Sequence, residues 1–181
     1  MISTTVFSSL KNADLHCISA EEAIRDLLHF DGLVGMKRFN CWQFQMDAPS
    51  QKEAEPILTK LLSSTYYLIN PNKESFYLGK LPKSPSINTN DCHLIKVSSK
   101  NEFSQKKLEE KIQKKSGVKI REIKRSVVWL IATKKEKNIS VASIAEKIIV
   151  SKSRLKGILA NTIYENFEFL KLSDHIELDS L

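Results

Sequence analysis

Between Met36 and Met46 the chain alternates, with Arg38, Asn40, Trp42, Phe44 and Met46 on one side and Lys37, Phe39, Cys41, Gln43 and Gln45 on the other. That period of two predicts a strand whose better-buried face holds Trp42, Phe44 and Met46. On both sides of it the period becomes helical. Upstream, Ala20, Ile24, Leu27 and Leu28 share one face, Ser19 and Glu22 form a candidate capping box, and Phe30-Asp31-Gly32 closes the segment. Downstream, Ser50 and Glu53 form a cap pair ahead of an inner stripe of Ile57, Leu58, Leu61, Leu62 and Thr65, and Pro56 fits only near the first turn. A short strand over Thr4 to Leu10 precedes these elements. Asn70-Pro71-Asn72 predicts a turn, and Glu74 to Leu78 a last short strand.

The same order then returns. A strand is expected at His93 to Val97, a Lys-rich helix from about Ser104 to Ser116 with Leu108 and Ile112 inside, and a long strand from Ile120 to Ala132. A helix from about Ser140 and a strand at Phe167 to Leu170 complete the series. Residue identities recur as well. Lys37, Arg38 and Trp42 return as Lys124, Arg125 and Trp129 at an offset of 87, while Leu68, Asn70, Glu74 and Phe76 return as Leu159, Asn161, Glu165 and Phe167 at 91. The polar run Lys134 to Asn138 is the place for the four-residue insertion that separates the two offsets, and Gly32 and Gly117 pair at 85.

Two copies of one unit are therefore expected: residues 1–78, a linker at 79–90 marked by two prolines, residues 91–172, and a tail at 173–181. The fold class is α+β. Each β-α-β-α-β repeat buries one sheet face under two helices and needs a cover for the other, so the two repeats are expected to pack sheet to sheet as an intramolecular pseudo-dimer.

Composition narrows the function classes. Hydrophobic content of 41% with five glycines and five prolines describes a folded chain. The sequence holds no apolar run long enough to span a bilayer, and the first seventeen residues lack a cationic segment followed by an apolar one. A soluble, cytoplasmic protein is expected. Cys17, Cys41 and Cys92 are too few and too widely spaced for a disulfide framework or a zinc site. His16, His29, His93 and His175 have no carboxylate or thiol at ligand or triad spacing, and phosphate-binding glycine loops are missing, so no catalytic residue, metal or cofactor is expected. The net charge of +7 comes from the second half, where 91–181 carries nineteen basic and twelve acidic side chains against nine of each in 1–90. Lysines spread around amphipathic helices read as a solvated face, and nucleic acid is not an expected partner.

The stretch Leu159-Ala160-Asn161-Thr162-Ile163-Tyr164-Glu165-Asn166-Phe167 resembles the closing stretch of PurS, the small subunit of phosphoribosylformylglycinamidine synthase. Leu159, Ala160, Asn161, Glu165 and Phe167 carry the match, and Leu68, Asn70, Glu74 and Phe76 a weaker one. The family's Asp-Pro-Gln-Gly stretch is missing from both copies, and Asn40-Cys41 and Val127-Val128 stand where its long strand often has Gly-Lys. The resemblance implies an accessory role in de novo purine biosynthesis. One fused chain would replace a PurS dimer, remain monomeric, and bridge a PurL-type synthetase subunit and a PurQ-type glutaminase subunit for ammonia transfer, with no catalytic residue of its own. It makes Asn70, Asn72 and Asn161 interface candidates, joined by the recurring cations Lys37, Arg38, Lys124 and Arg125. Trp42, Trp129, Phe76 and Phe167 read as core or inter-repeat packing.

A second expectation competes. Val141, Ile144, Ala145, Ile148, Ser151, Leu155 and Ile158 follow a helix-turn-helix rhythm over 139–159, with Lys152, Arg154 and Lys156 on a recognition helix. Ile120 to Ile131 would then be a preceding helix and Phe167 to Leu178 a wing, making the protein a DNA-binding transcriptional regulator.

Overall fold

A computed structural model describes residues 1–81, 92–101, 105–134, 139–152 and 157–175. Its strands are β1 (Ile2–Leu10), β2 (Leu33–Met46), β3 (Glu74–Leu78), β4 (Cys92–Ser99), β5 (Ile120–Thr133) and β6 (Glu165–Leu170). The helices are α1 (Leu15–Asp26), α2 (Gln51–Ser64), α3 (Lys106–Ser116), the single turn α4 (Val141–Ile144), which runs on into a π-helical turn at Ala145–Ile149, and α5 (Leu172–His175). The α+β class and the repeated element order are thus as the periodicities predict. The strands form one six-stranded sheet in the order β3-β1-β2-β5-β4-β6. β1 pairs antiparallel with β2 and β3, and β4 with β5 and β6.

The expected stacking of two sheets is replaced by this single sheet. The reason lies in what covers the strands. The chain divides into two compact units, neither of which is one repeat: the first holds 1–12, 40–81 and 102–125, the second 13–39, 82–101 and 126–181. In the first unit, Trp42, Phe44 and Met46 of β2 are buried with Leu58, Leu61 and Leu62 of α2, as the strand and helix patterns predict, while Val6 of β1 and Ala54 join this core and Ile57 is only partly buried. Ile112 of α3, from the second repeat, closes the same core with Ile120 and Ile123. The second unit is built reciprocally. Ile95 and Val97 of β4 and Trp129 and Ile131 of β5 are buried with Ile144, Ile148 and Ile149, and Ile24 of α1, from the first repeat, joins them. Each repeat therefore gives its first helix to the other repeat's strands. Ile24 and Ile112 are both fully buried, and burying an isoleucine side chain is worth about 1.5–3 kcal/mol.

Several local expectations shift. Helix α1 begins at Leu15, not behind a Ser19–Glu22 box, because the Asp14 carboxylate accepts from the amides of His16 and Cys17 at 3.0 and 3.3 Å. The helix accordingly ends at Asp26, ahead of Phe30-Asp31-Gly32, and its inner stripe becomes Cys17, Ala20 and Ile24, leaving Leu27 exposed. Arg25 ties this end of the helix to the start of β2 through the carbonyls of Leu33 and Val34 at 2.8 and 3.0 Å. Helix α2 matches its expected span but takes Pro56 in its second turn, and Ser50 makes no side-chain cap bond. β2 buries Phe39 and Cys41 as well as Trp42, Phe44 and Met46, so the alternation marks a better-buried face rather than a solvent-facing one opposite.

The helix expected from Ser140 is short. Ser140 caps it by accepting from the Ser143 amide at 3.1 Å, but Val150 already turns to extended geometry, and Val150 forms a parallel bridge with Ala160. Gly157 belongs here: its φ is +61°, and a Cβ would lie 2.0 Å from the Val150 carbonyl oxygen. Residues 120–133 are a strand, and Val150 and Ser151 are not helical, so the described residues do not form the helix-turn-helix arrangement. Arg154, Leu155 and Lys156 of that reading, the linker beyond Leu81, Ser104, the polar run at 135–138 and the chain from 176 onward lie outside the described residues.

Candidate functional site

Two features occur twice. The first is the turn before each closing strand. In the first unit the Asn70 carbonyl accepts from the amides of Lys73 and Glu74 at 2.9 and 2.8 Å, its side-chain oxygen accepts from the Asn72 amide at 3.1 Å, and the Glu74 carboxylate accepts from the Asn70 amide at 2.7 Å. In the second unit the Asn161 carbonyl accepts from Tyr164 and Glu165 at 2.9 and 2.8 Å, its side-chain oxygen from the Ile163 amide at 3.1 Å, and the Glu165 carboxylate from the Asn161 amide at 2.8 Å. Every partner recurs at the offset of 91 that the sequence shows. Asparagine suits the position because its short side chain mimics a backbone acceptor two residues on.

A lysine holds each turn from the neighbouring strand end. Lys11 Nζ donates to the Pro71 carbonyl at 2.8 Å and Lys100 Nζ to the Thr162 carbonyl at 2.5 Å, while their backbone amides donate to the carbonyls of Lys73 and Tyr164. Sequence reasoning missed both. The signal was present as Ser9-x-Lys11-Asn12, which returns as Ser98-x-Lys100-Asn101.

The second duplicated feature joins the repeats within each unit. In the first unit the Arg125 guanidinium lies over the Trp42 ring, 5.1 Å from its centre; in the second unit Arg38 lies over Trp129 at 5.9 Å. Trp42 and Trp129 are buried in the two cores, and Phe76 and Phe167 pack against the same two cores from β3 and β6. Arg38 also pairs with Asp14 at 3.3 Å. Lys124 pairs with Glu122 at 3.4 Å and Lys37 is exposed. The arginines among the cation candidates thus cover tryptophans, whereas the lysines do not.

Beside the first turn lies a cleft of about 590 Å³ whose walls include Lys11, Ser63, Ser64, Tyr66 and Asn72. Asn72 Nδ2 donates to the Tyr66 hydroxyl at 3.1 Å. Large side chains are exposed around both turns, Tyr66 and Tyr67 in the first unit and Ile163 and Tyr164 in the second. At the exposed end of β2, Asp47 accepts from Arg121 at 2.8 and 2.9 Å, and this paired hydrogen bond holds the Asp47 carboxyl below the usual carboxylate range. Among the described residues no group of three or more His, Cys, Asp or Glu is placed to hold a metal ion, and no helix is long and apolar enough to cross a membrane.

No protein-family model, no curated protein and no solved structure matches the chain.

Proposed function

We propose that this chain is an assembly subunit that presents two like-built turns to partner proteins. The observation that carries this reading is the duplicated Asn turn. The same hydrogen bonds, the same anchoring lysine and a fringe of exposed large side chains appear in both units. Polar turns held so rigidly, flanked by exposed Tyr66 and Tyr67 or Ile163 and Tyr164, combine the aromatic anchors and low ordering cost that protein interfaces use. The reciprocal exchange of α1 and α3 supports the same reading, because a single chain then contains what two separate copies would otherwise contribute.

The particular assembly follows from the resemblance of Leu159 to Phe167 to PurS. The chain would act in phosphoribosylformylglycinamidine synthase, bridging the PurL-type synthetase and PurQ-type glutaminase subunits and supplying no chemistry itself. Tagged protein mixed with those two subunits should retain both on the column, and Tyr66→Ala with Ile163→Ser should lower retention without unfolding the chain. Retention of neither subunit by the parent protein would overturn the assignment.

A further inference from the structure

Five of the nineteen basic side chains of the second half lie on one helix. Lys106, Lys107, Lys111, Lys114 and Lys115 of α3 are all exposed, while Ile112 is buried, Leu108 is partly buried and Glu109 accepts from the Ile123 amide at 3.1 Å. Lys107, Lys111 and Lys114 stand at i, i+4 and i+7, a stripe about 10 Å long on one side of the helix. Among the described residues none of the five lysines is in an ion pair.

This placement works against the helix. Lys106 and Lys107 put two cations at the positive end of the helix dipole, which Glu109 in the same turn offsets only in part, Gln105 supplies no side-chain cap, and like charges one turn apart destabilise. Lys114 and Lys115 alone sit where the dipole favours them. A local rule broken without a compensating contact inside the chain points to a role outside it.

We propose that this face of α3 binds the phosphate backbone of a nucleic acid. A protein partner fits less well, because interface cores are depleted in lysine and enriched in aromatic residues, Met and Arg, and the exposed side of α3 adds only Glu110 and Gln113 to its lysines. An anionic membrane needs apolar side chains on the entering face, and the apolar residues of α3, Leu108 and Ile112, pack into the core. A polyphosphate chain needs only closely spaced ammonium groups on flexible stems, which this stripe provides. Contacts of this kind position a protein on the backbone without reading base sequence.

The test is fluorescence anisotropy of the full chain with a labelled short DNA duplex of arbitrary sequence and the matching RNA duplex, titrated from low to moderate salt. Binding is expected to weaken steeply with salt. The triple variant Lys107→Gln, Lys111→Gln, Lys114→Gln should bind at least about tenfold more weakly, with a log–log salt slope shallower by about 2 to 3. Glu110→Gln, which removes the acidic side chain exposed on this face, should bind more tightly, a gain that an unfolded variant cannot mimic. Lys147→Gln, Lys152→Gln and Lys171→Gln together remove the same charge from the second unit and should change little. Failure of the parent chain to bind either duplex at low salt overturns the proposal. So does an equal loss in the second-unit control, or tighter binding to anionic phospholipid vesicles that is lost in the α3 variant. Retention of the synthetase and glutaminase subunits is measured separately and bears on neither outcome.

Discussion

The Arg125 guanidinium lies 5.1 Å from the centre of the Trp42 ring, and the two residues come from different copies of the repeat. The mirror pair, Arg38 over Trp129, comes from the opposite copies. A motif that reads Lys-Arg-x-x-x-Trp along the chain is therefore satisfied across copies: each Arg covers the other copy's Trp. This explains why Arg and Trp recur together at one offset, since either alone would leave a buried ring or a cation without its counterpart.

The two arginines should differ in their worth. Arg125 is exposed and its attraction to Trp42 is worth about 0.5–1 kcal/mol. Arg38 is half-buried and also pairs with Asp14, the residue that caps α1. Arg38→Ala should therefore lower the stability by about 1–2 kcal/mol, more than Arg125→Ala, in urea melts followed by circular dichroism. Equal losses would show that the Asp14 contact adds nothing. Trp42→Phe and Trp129→Phe leave one indole each, so its fluorescence reports separately on the first or the second unit.

Asn40 is the first copy's counterpart of Val127, which packs against the second core. Its side-chain oxygen is buried without a hydrogen-bond partner, as is Trp42 Nε1 two residues along the same strand. An unpaired buried amide opposes folding by about 1–3 kcal/mol. Copying the sister residue, Asn40→Val, should raise the urea midpoint. It removes the unsatisfied group and puts a β-branched side chain in a strand. A fall in the midpoint would mean that Asn40 makes a compensating interaction in solution.

Much of this architecture was legible in the pattern of apolar positions. Local periodicity located nearly every strand and helix, and the burial of Trp42, Phe44, Met46, Leu58, Leu61, Leu62 and Ile112 follows from it. What periodicity could not reach was which strands a helix covers. Ile24 and Ile112 read equally well as core residues of their own repeat, because an amphipathic stripe records burial and not its partner. The start of α1 was missed for a different reason: Ser19–Glu22 is a good capping pattern, but Asp14 placed earlier captures two amides and brings Cys17 into the buried stripe. At the turns, the recurrence of Asn and Glu was visible, and their hydrogen bonds prove identical. The lysines that brace them were hidden because they donate to carbonyls sixty and more residues away.

Because the two turns share one set of bonds, they should respond alike. Asn70→Ala and Asn161→Ala each remove a side-chain acceptor and free the amide of Asn72 or Ile163, at a cost of about 0.5–2 kcal/mol apiece. Gly at either position should cost no less, since it restores no acceptor. Hydrogen exchange is the sharper measurement: the amides of Asn72 and Ile163 should lose protection in their own variant only. Loss of protection at Ile163 in Asn70→Ala would mean that the turns are coupled rather than merely alike.

Cys17 offers the clearest dependence on pH. Burial is the main reason its thiol is pushed up from 9.0 to about 11, with the Asp14 and Glu21 carboxylates adding to the rise and Arg38 opposing it. Below pH 9 the thiol is protonated in the folded and unfolded chains alike, so it contributes its full stabilisation there. Between about pH 9 and 11 the unfolded chain releases the proton while the folded chain holds it, and stability falls by at most about 1.4 kcal/mol per pH unit. Cys17→Ala removes this titration. The difference in stability between the parent chain and the variant, measured by urea unfolding, should be constant from pH 7 to 8.5. It should then move in the variant's favour as the pH climbs toward 10.5, because only the parent loses stability through this thiol. A constant difference across the whole range would mean that Cys17 ionises as readily in the folded protein as in the unfolded one, and that the environment under α1 is wetter than the burial of Cys17 and Ile24 in the second core implies.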